Sequence, residues 1–384
     1  MHIVHLLTRL LRAGSEENTV ETCRWQVAAG HRVTLVHGDG FDPWWDRNLP
    51  AGVTRICLPQ MVHPPHPIAD IRAIVLLRAL YRKLQPDVIH THQSKAGVLG
   101  RLAALAVPQA VVVHGIHIVP FEGVSAAQRA IYIAAERAAG RRTDLFMSVS
   151  KAVGDAYVAA GVAREDQIHC VRSGMDLTRF RDACVPADWR ALLRLGAGQP
   201  VPKVAVMMAA LEPRKRHVAF LRAFSDVARE ACDIRLFLAG SGPEEARIRA
   251  EIRNLGLGHQ VVMCGHRSDP EAMFALADVS VLTSEREGLP RVAVQSMAAG
   301  CPMVATALPG LGELLEDGRN CCIVAPDDLA GAAGQMMALL RDDLRLHALK
   351  QAALSTDVSA WSLGTLGART TALYGVPMGR RAAA

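Results

Sequence analysis

Aromatic residues are scarce in this chain, 4% of 384 positions, although half of all residues are hydrophobic. Its cores must therefore be filled by Ala, Val, Leu and Ile, the usual filling of strands covered on both faces by helices. Long apolar runs are lacking as well. Residues 73–80 and 102–107 are short and interrupted or flanked by charge, well under the roughly 20 apolar residues that a membrane span needs. Residues 1–11 carry a short apolar run broken by Arg9, with Arg12 next and no small-residue cleavage site, so they read as a first strand and turn rather than a signal peptide. Cysteine supplies no framework either. The nine cysteines are odd in number and scattered, with no Cys-x-x-Cys pair, which fits a reducing cytoplasm and no structural zinc.

Charge is present in modest excess. The net value is +6; residues 1–180 hold 20 Lys and Arg against 15 Asp and Glu, and the remainder holds 23 against 22. The basic half suits an anionic membrane surface or a phosphorylated acceptor, with a plain solvated surface as the alternative. Nucleic acid is not expected, because no interleaved aromatics accompany the charge.

The order of elements is repetitive. Short apolar runs at 2–8, 32–37, 53–58, 87–92, 110–114, 144–149 and 167–171 predict strands, with helical patterns such as 71–84 and 97–106 in the gaps. Residues 176–202, with Asp182, Pro186, Gly196, Gly198 and Pro200, interrupt the rhythm and suggest a linker. A second set of strands is predicted at 204–208, 234–239, 261–264, 279–283, 303–306 and 322–324. Alternating strands and helices specify parallel sheets with right-handed crossovers. The expected fold is α/β, with two doubly wound Rossmann-like domains facing each other across a cleft. An amino-terminal domain covers 1–182 and a second domain 183–358. A last helical segment, 359–384, carries the anchors Trp361 and Tyr374 and packs back on the first domain, with a frayed tail.

Residues 284–300 hold the densest chemistry. Glu287 and Gly288 follow a strand pattern and Pro290 precedes a helical one. An acid and a glycine turn thus fall at the carboxyl end of a strand, where open α/β sheets bind ligands. The exposed N–H groups of the following helix attract phosphate. A second strand-turn-helix unit carries Arg214, Lys215 and Arg216, which by themselves read as charges solvating a helix start.

The order of these segments resembles the GT-B glycosyltransferases of the retaining family 4 type. In the first half the resemblance rests on Gly14-Ser15-Glu16, on Ala29-Gly30-His31-Arg32-Val33, on residues 87–92 (Asp-Val-Ile-His-Thr-His) and on Lys95 to Arg101. Ser173-Gly174-Met175-Asp176 with Phe180 stands where the family has its junction motif. In the second half it rests on Leu211 to Lys215, on Gly240-Ser241-Gly242-Pro243, on Gly265, on residues 278–284, on Gly300 to Thr306, and on Gly310 and Glu313.

The resemblance implies a nucleotide diphosphate sugar as donor, UDP-sugar preferred over GDP-mannose, and a glycan acceptor, lipid-linked, in cell-surface polysaccharide or oligosaccharide synthesis. Lys215 and Arg214 would bind the diphosphate with backbone N–H groups at Leu289 and Arg291, since Pro290 has none. Gly14, Gly265, Arg267, Gly288 and Pro290 complete the donor contacts. Glu287 would hold sugar hydroxyls and stabilise positive charge at the anomeric carbon; its alternative is an acid favoured by a helix dipole. His117 matches the family histidine that approaches the sugar or β-phosphate, with His114 competing for the alignment and His92 as an acceptor-side candidate. Front-face substitution needs no paired carboxylates of the glycosidase kind, and neither a metal nor a cofactor is expected. The enzyme would be cytoplasmic and peripheral to the inner face of the membrane.

Three positions depart from the family. Gln295 replaces the second acid, which holds the ribose, and an amide oxygen loses charge-assisted strength. Ala210 replaces a frequent arginine and Cys321 a frequent glycine. The readings left beside catalysis are a noncatalytic member that binds sugar nucleotide or a partner enzyme, and a sugar-nucleotide epimerase of the same fold.

Overall fold

The structure, a computed structural model, describes residues 1–196, 198–228, 233–288 and 290–382, with side chains through 378. It divides into two compact units, Met1–Met175 with Trp361–Ala384, and Asp176–Ala360.

Unit 1 is built on β1 (His2–Leu10), β2 (Arg32–Phe41), β3 (Val53–Cys57), β4 (Val88–His92), β5 (Val111–Ile116), β6 (Leu145–Ser148) and β7 (Ile168–Cys170). They form one parallel sheet in the order β3-β2-β1-β4-β5-β6-β7. Every residue of β4, β5 and β6 is buried, as expected of strands covered on both faces, and the β-branched content of β4 and β5 suits that environment. The helix Ser94–Ala103 is fixed by a buried ion pair, Arg101 with Glu136 on the helix Ala126–Gly140. The helix Leu363–Ala382 returns to this unit, where Leu366 and Tyr374 share a core with Ile3, Val88, Val113 and Leu145. Trp361, just before it, is 3% exposed.

Unit 2 contains β8 (Lys203–Met208), β9 (Ile234–Ala239), β10 (Val261–Gly265), β11 (Val279–Leu282), β12 (Met303–Thr306) and β13 (Cys321–Val324), parallel in the order β10-β9-β8-β11-β12-β13. Phe220, Leu221 and Phe224 of the helix His217–Ala228 are completely buried against Leu236 and Leu238 of β9. The segment that opens this unit packs on it: Phe180 is buried against Phe274, and Arg179 pairs with Glu271.

Each sheet winds outward in two directions from an inner pair. The switch falls between β1 and β4 in unit 1 and between β8 and β11 in unit 2. Loops leaving the carboxyl ends of such a pair diverge and open a crevice. Among the described residues, no helix is long and apolar enough to cross a membrane.

Candidate functional site

In unit 2 the loops that follow β8 and β11 meet at the switch point. The first runs through Ala209 to Glu212 into the short 3-10 turn Pro213–Lys215, closed by Arg216 in a left-handed conformation, φ 58°. The second runs from Thr283 to Pro290, which stands at the N-cap of the helix Arg291–Ala298. Three hydrogen bonds stitch them together: the Glu285 amide to the Arg214 carbonyl at 2.8 Å, Thr283 Oγ1 to the Lys215 carbonyl at 3.0 Å, and Arg216 Nε to the Thr283 carbonyl at 2.7 Å. Arg216 also reaches Asp327 at 2.9 Å.

That stitching places two cations on one acid. Arg214 lies 2.9 Å from Glu287 Oε1, and the Lys215 ammonium donates to the same oxygen. The Lys215 and Glu287 side chains are only 10% and 12% exposed. Burial by itself would raise the Glu287 pKa, but the charges of Lys215 and then Arg214 outweigh it, and the carboxyl is held below its ordinary value. At neutral pH the group is a carboxylate in a cationic cradle.

The glycines of the loop after β9 make the close approach possible. A side chain on Gly240 would meet the Ala209 carbonyl at 1.9 Å, and one on Gly242 the Leu211 carbonyl at 2.6 Å. The Leu211 amide donates to the Ser241 carbonyl at 2.9 Å and the Gly240 amide to the Gly265 carbonyl at 2.8 Å. Gly265, φ 64°, ends β10 in a conformation that only glycine takes readily. Four consecutive loops thus converge on the carboxyl edge of this sheet.

Other anticipated donor residues fall as follows. Gly288 is buried beside Glu287, Arg291 and Gln295 are partly exposed on the helix Arg291–Ala298, and Leu289 lies outside the described residues. Arg267 is engaged by Asp269 at 2.6 Å and Asp188 at 3.3 Å, and the Asp269 bond raises its pKa. Glu285 is exposed. Sequence reasoning missed Arg216 and Thr283 as the residues that align the two loops. The signal, a positive φ at Arg216 and a carbonyl-directed guanidinium, exists only in the folded chain.

In unit 1, Gly14 opens the helix Gly14–Ala28 directly after β1. His117 follows β5, with Nε2 3.3 Å from His92 Nδ1, and borders a cavity of about 40 Å³ together with His90, His92 and Ser173. Burial lowers its pKa to about 4. The competing His114 is directed elsewhere: it bonds Thr91 Oγ1 at 3.0 Å and meets Phe146 edge-on. His92 is 4% exposed and enclosed by His5, His90 and His117.

Residues 12–179 match the family Glycosyltransferase Family 4, and residues 198–356 match Glycosyl transferases group 1. The chain is a glycosyltransferase that carries both of these domains. Its relatives include D-inositol 3-phosphate glycosyltransferase 1 of Catenulispora acidiphila, 29% identical over 70% of this chain and 67% of that protein. Another is the UDP-Gal:alpha-D-GlcNAc-diphosphoundecaprenol alpha-1,3-galactosyltransferase of Escherichia coli, 24% identical over 67% of this chain and 65% of that protein. The crystal structure of Anabaena HepE in complex with UDP aligns with a TM-score of 0.77 at 20% identity, covering 98% of this chain and all of HepE. The two parallel sheets with their covering helices are those of the GT-B glycosyltransferase fold.

Proposed function

We propose that this glycosyltransferase moves a sugar from a UDP-sugar to a lipid-linked glycan, with retention of configuration and without a metal at the diphosphate. The observation that carries the reading is the cradle of Arg214 and Lys215 around Glu287 at the switch point of unit 2. Two cations can take the charge of a leaving diphosphate, while the carboxylate beside them faces the sugar. In the front-face reaction the bond from the anomeric carbon to the diphosphate oxygen breaks, and the diphosphate keeps the electron pair. The acceptor hydroxyl bonds to the same face of that carbon, and its proton passes to the departing phosphate oxygen. Glu287 stabilises the positive charge in between. His117, neutral at physiological pH, serves as a hydrogen-bonding group toward the donor. The complex of HepE with UDP and the undecaprenyl-linked acceptor named for the Escherichia coli relative support the choice of donor and acceptor.

A peripheral place on the cytoplasmic face of a membrane is supported by the helix Pro67–Leu84. Ile68, Ile71, Val75 and Leu76 are 40–63% exposed along it, beside the exposed Arg72, Arg82 and Lys83. Such a stripe suits an anionic interface. The deciding assay follows nucleotide release from a panel of UDP-, GDP- and ADP-sugars, with and without undecaprenyl-diphosphate-linked sugar. Acceptor-dependent release of UDP is expected. Nucleotide binding with no release from any donor would leave the noncatalytic reading instead.

A further inference from the structure

Unit 1 holds a second polar constellation, built from histidines. In the parallel register of β1 and β4, His5 lies opposite His90, and His92 falls on the same face two residues further along β4. All three rings are buried. One ring nitrogen from each lies within 4.8 Å of the other two, and His5 Nδ1 is 3.0 Å from His92 Nε2.

The opposite ring nitrogens carry the argument further. His5 Nε2 is 2.8 Å from Gln26 Oε1, His90 Nδ1 is 2.8 Å from the Tyr374 hydroxyl, and His92 Nδ1 is 3.3 Å from His117 Nε2. Each ring is oriented by an outer hydrogen bond, the arrangement that sets the tautomer and aim of a metal-ligating histidine. The inward nitrogens are left for each other. His90 Nε2 is buried with no hydrogen-bond partner, and His5 Nδ1 and His92 Nε2 meet at 3.0 Å, where one ring donates to the other and a metal ion could take the lone pair of each instead. The adjoining cavity of about 40 Å³, bordered by His90, His92, His117 and Asn18, has space for one water.

We propose that His5 Nδ1, His90 Nε2 and His92 Nε2 bind one divalent transition-metal ion of the zinc class, with a water from the cavity as fourth ligand. Three imidazoles suit zinc, cobalt, nickel or copper and not the oxygen-seeking magnesium or calcium. An ion with nitrogens at about 2.0–2.1 Å would hold them roughly 3.3 Å apart, so the rings need only to close on their present centre. Binding releases no proton: His5 keeps Nε2–H for Gln26, His90 keeps Nδ1–H for Tyr374, and His92 keeps Nδ1–H for His117. The ion would tie β1 to β4 and, through Tyr374, to the helix Leu363–Ala382. The absence of a Cys-x-x-Cys motif argues only against a thiolate zinc site. Histidines 85 residues apart escape any search by spacing, because strand pairing is what joins them. Metal uptake requires neither donor nor acceptor, although His92 and His117 also border the cavity described above.

The test uses the full chain, stripped with a chelator and titrated with cobalt(II) and then zinc. One cobalt per chain with a tetrahedral visible band, displaced by one zinc, is expected, together with a rise in the thermal midpoint. X-ray absorption of the zinc-loaded wild type should resolve three imidazoles at about 2.0 Å. His5→Gln and His90→Gln should each weaken binding about 100-fold or more, whereas His347→Gln, at an exposed histidine, should leave it unchanged. Folding of each variant is checked by circular dichroism. A folded wild type that takes up no metal, fewer than three imidazoles around zinc, or unchanged affinity in a folded His5→Gln/His90→Gln variant overturns the proposal. If both variants unfold, the absorption measurement on the wild type decides alone.

Discussion

Glu287 shares one carboxylate oxygen between Arg214 and Lys215, and this geometry separates binding from turnover in a way that substitution can read. Glu287→Gln keeps the shape but removes the negative charge, leaving Lys215 free for a diphosphate and Arg214 held by Glu212 alone among carboxylates, at 2.8 Å. UDP affinity should be equal or tighter by calorimetry, while transfer falls at least about 100-fold, the order seen when one transition-state contact is lost. Loss of UDP affinity by the same factor would remove Glu287 from the sugar side of the site. A second prediction concerns His217, 2% exposed, with both ring nitrogens unpaired and a pKa lowered to about 4, first by burial and then by Lys215. Above pH 6.5 the ring is neutral folded or unfolded. As pH falls from 6.5 toward 4, only the unfolded chain takes up the proton, so stability declines by up to about 1.4 kcal/mol per pH unit. His217→Leu should flatten that slope in denaturant unfolding between pH 7.5 and 4.5; an identical slope would show that the ring is not the titrating group. At this scale Lys215 and Glu287 were legible because motif order singles them out. Arg216 was not, since its part depends on a backbone dihedral, and neither was the diversion of Arg267 to two carboxylates.

Elements were the most legible level. Each predicted run of Val, Ile and Leu is a strand, because a short β-branched run bounded by turn residues has few other ways to bury itself. The ends were less visible. β1 and β2 run on to Leu10 and Phe41 because the register shifts between Leu7 and Arg9, which prolongs pairing beyond the apolar run. The helix Arg291–Ala298 carries Gln295, where the sequence departs from the expected acid, eight residues beyond Glu287 and partly exposed. Replacing an amide by a carboxylate strengthens a hydroxyl contact by about 1 kcal/mol. Gln295→Glu should therefore tighten UDP roughly fivefold in titration calorimetry, through the ribose. UDP and uracil would separate the cases: an equal gain for both, or none for either, removes Gln295 from the ribose.

For the molecule as a whole, the charge of +6 is concentrated in the first 180 residues, and the exposed stripe of the helix Pro67–Leu84 lies in the same segment. Cosedimentation with vesicles containing phosphatidylglycerol should exceed that with neutral vesicles and weaken as salt rises from 0.05 to about 0.5 M, where screening acts within a few ångströms. Ile71→Asp with Val75→Asp should lower it about tenfold. Salt-insensitive binding, or binding unaffected by the substitutions, would place the contact elsewhere. Two parallel sheets, their helices and the order of the motifs could be read along the chain, because apolar periodicity and glycine turns are local properties and family motifs are collinear with it. Two features could not: the meeting of Lys215 with Glu287, 72 residues apart, and the gathering of His5, His90 and His92. Each arises from strand order and long-range packing, which bring together residues whose sequence neighbourhoods hold no trace of one another.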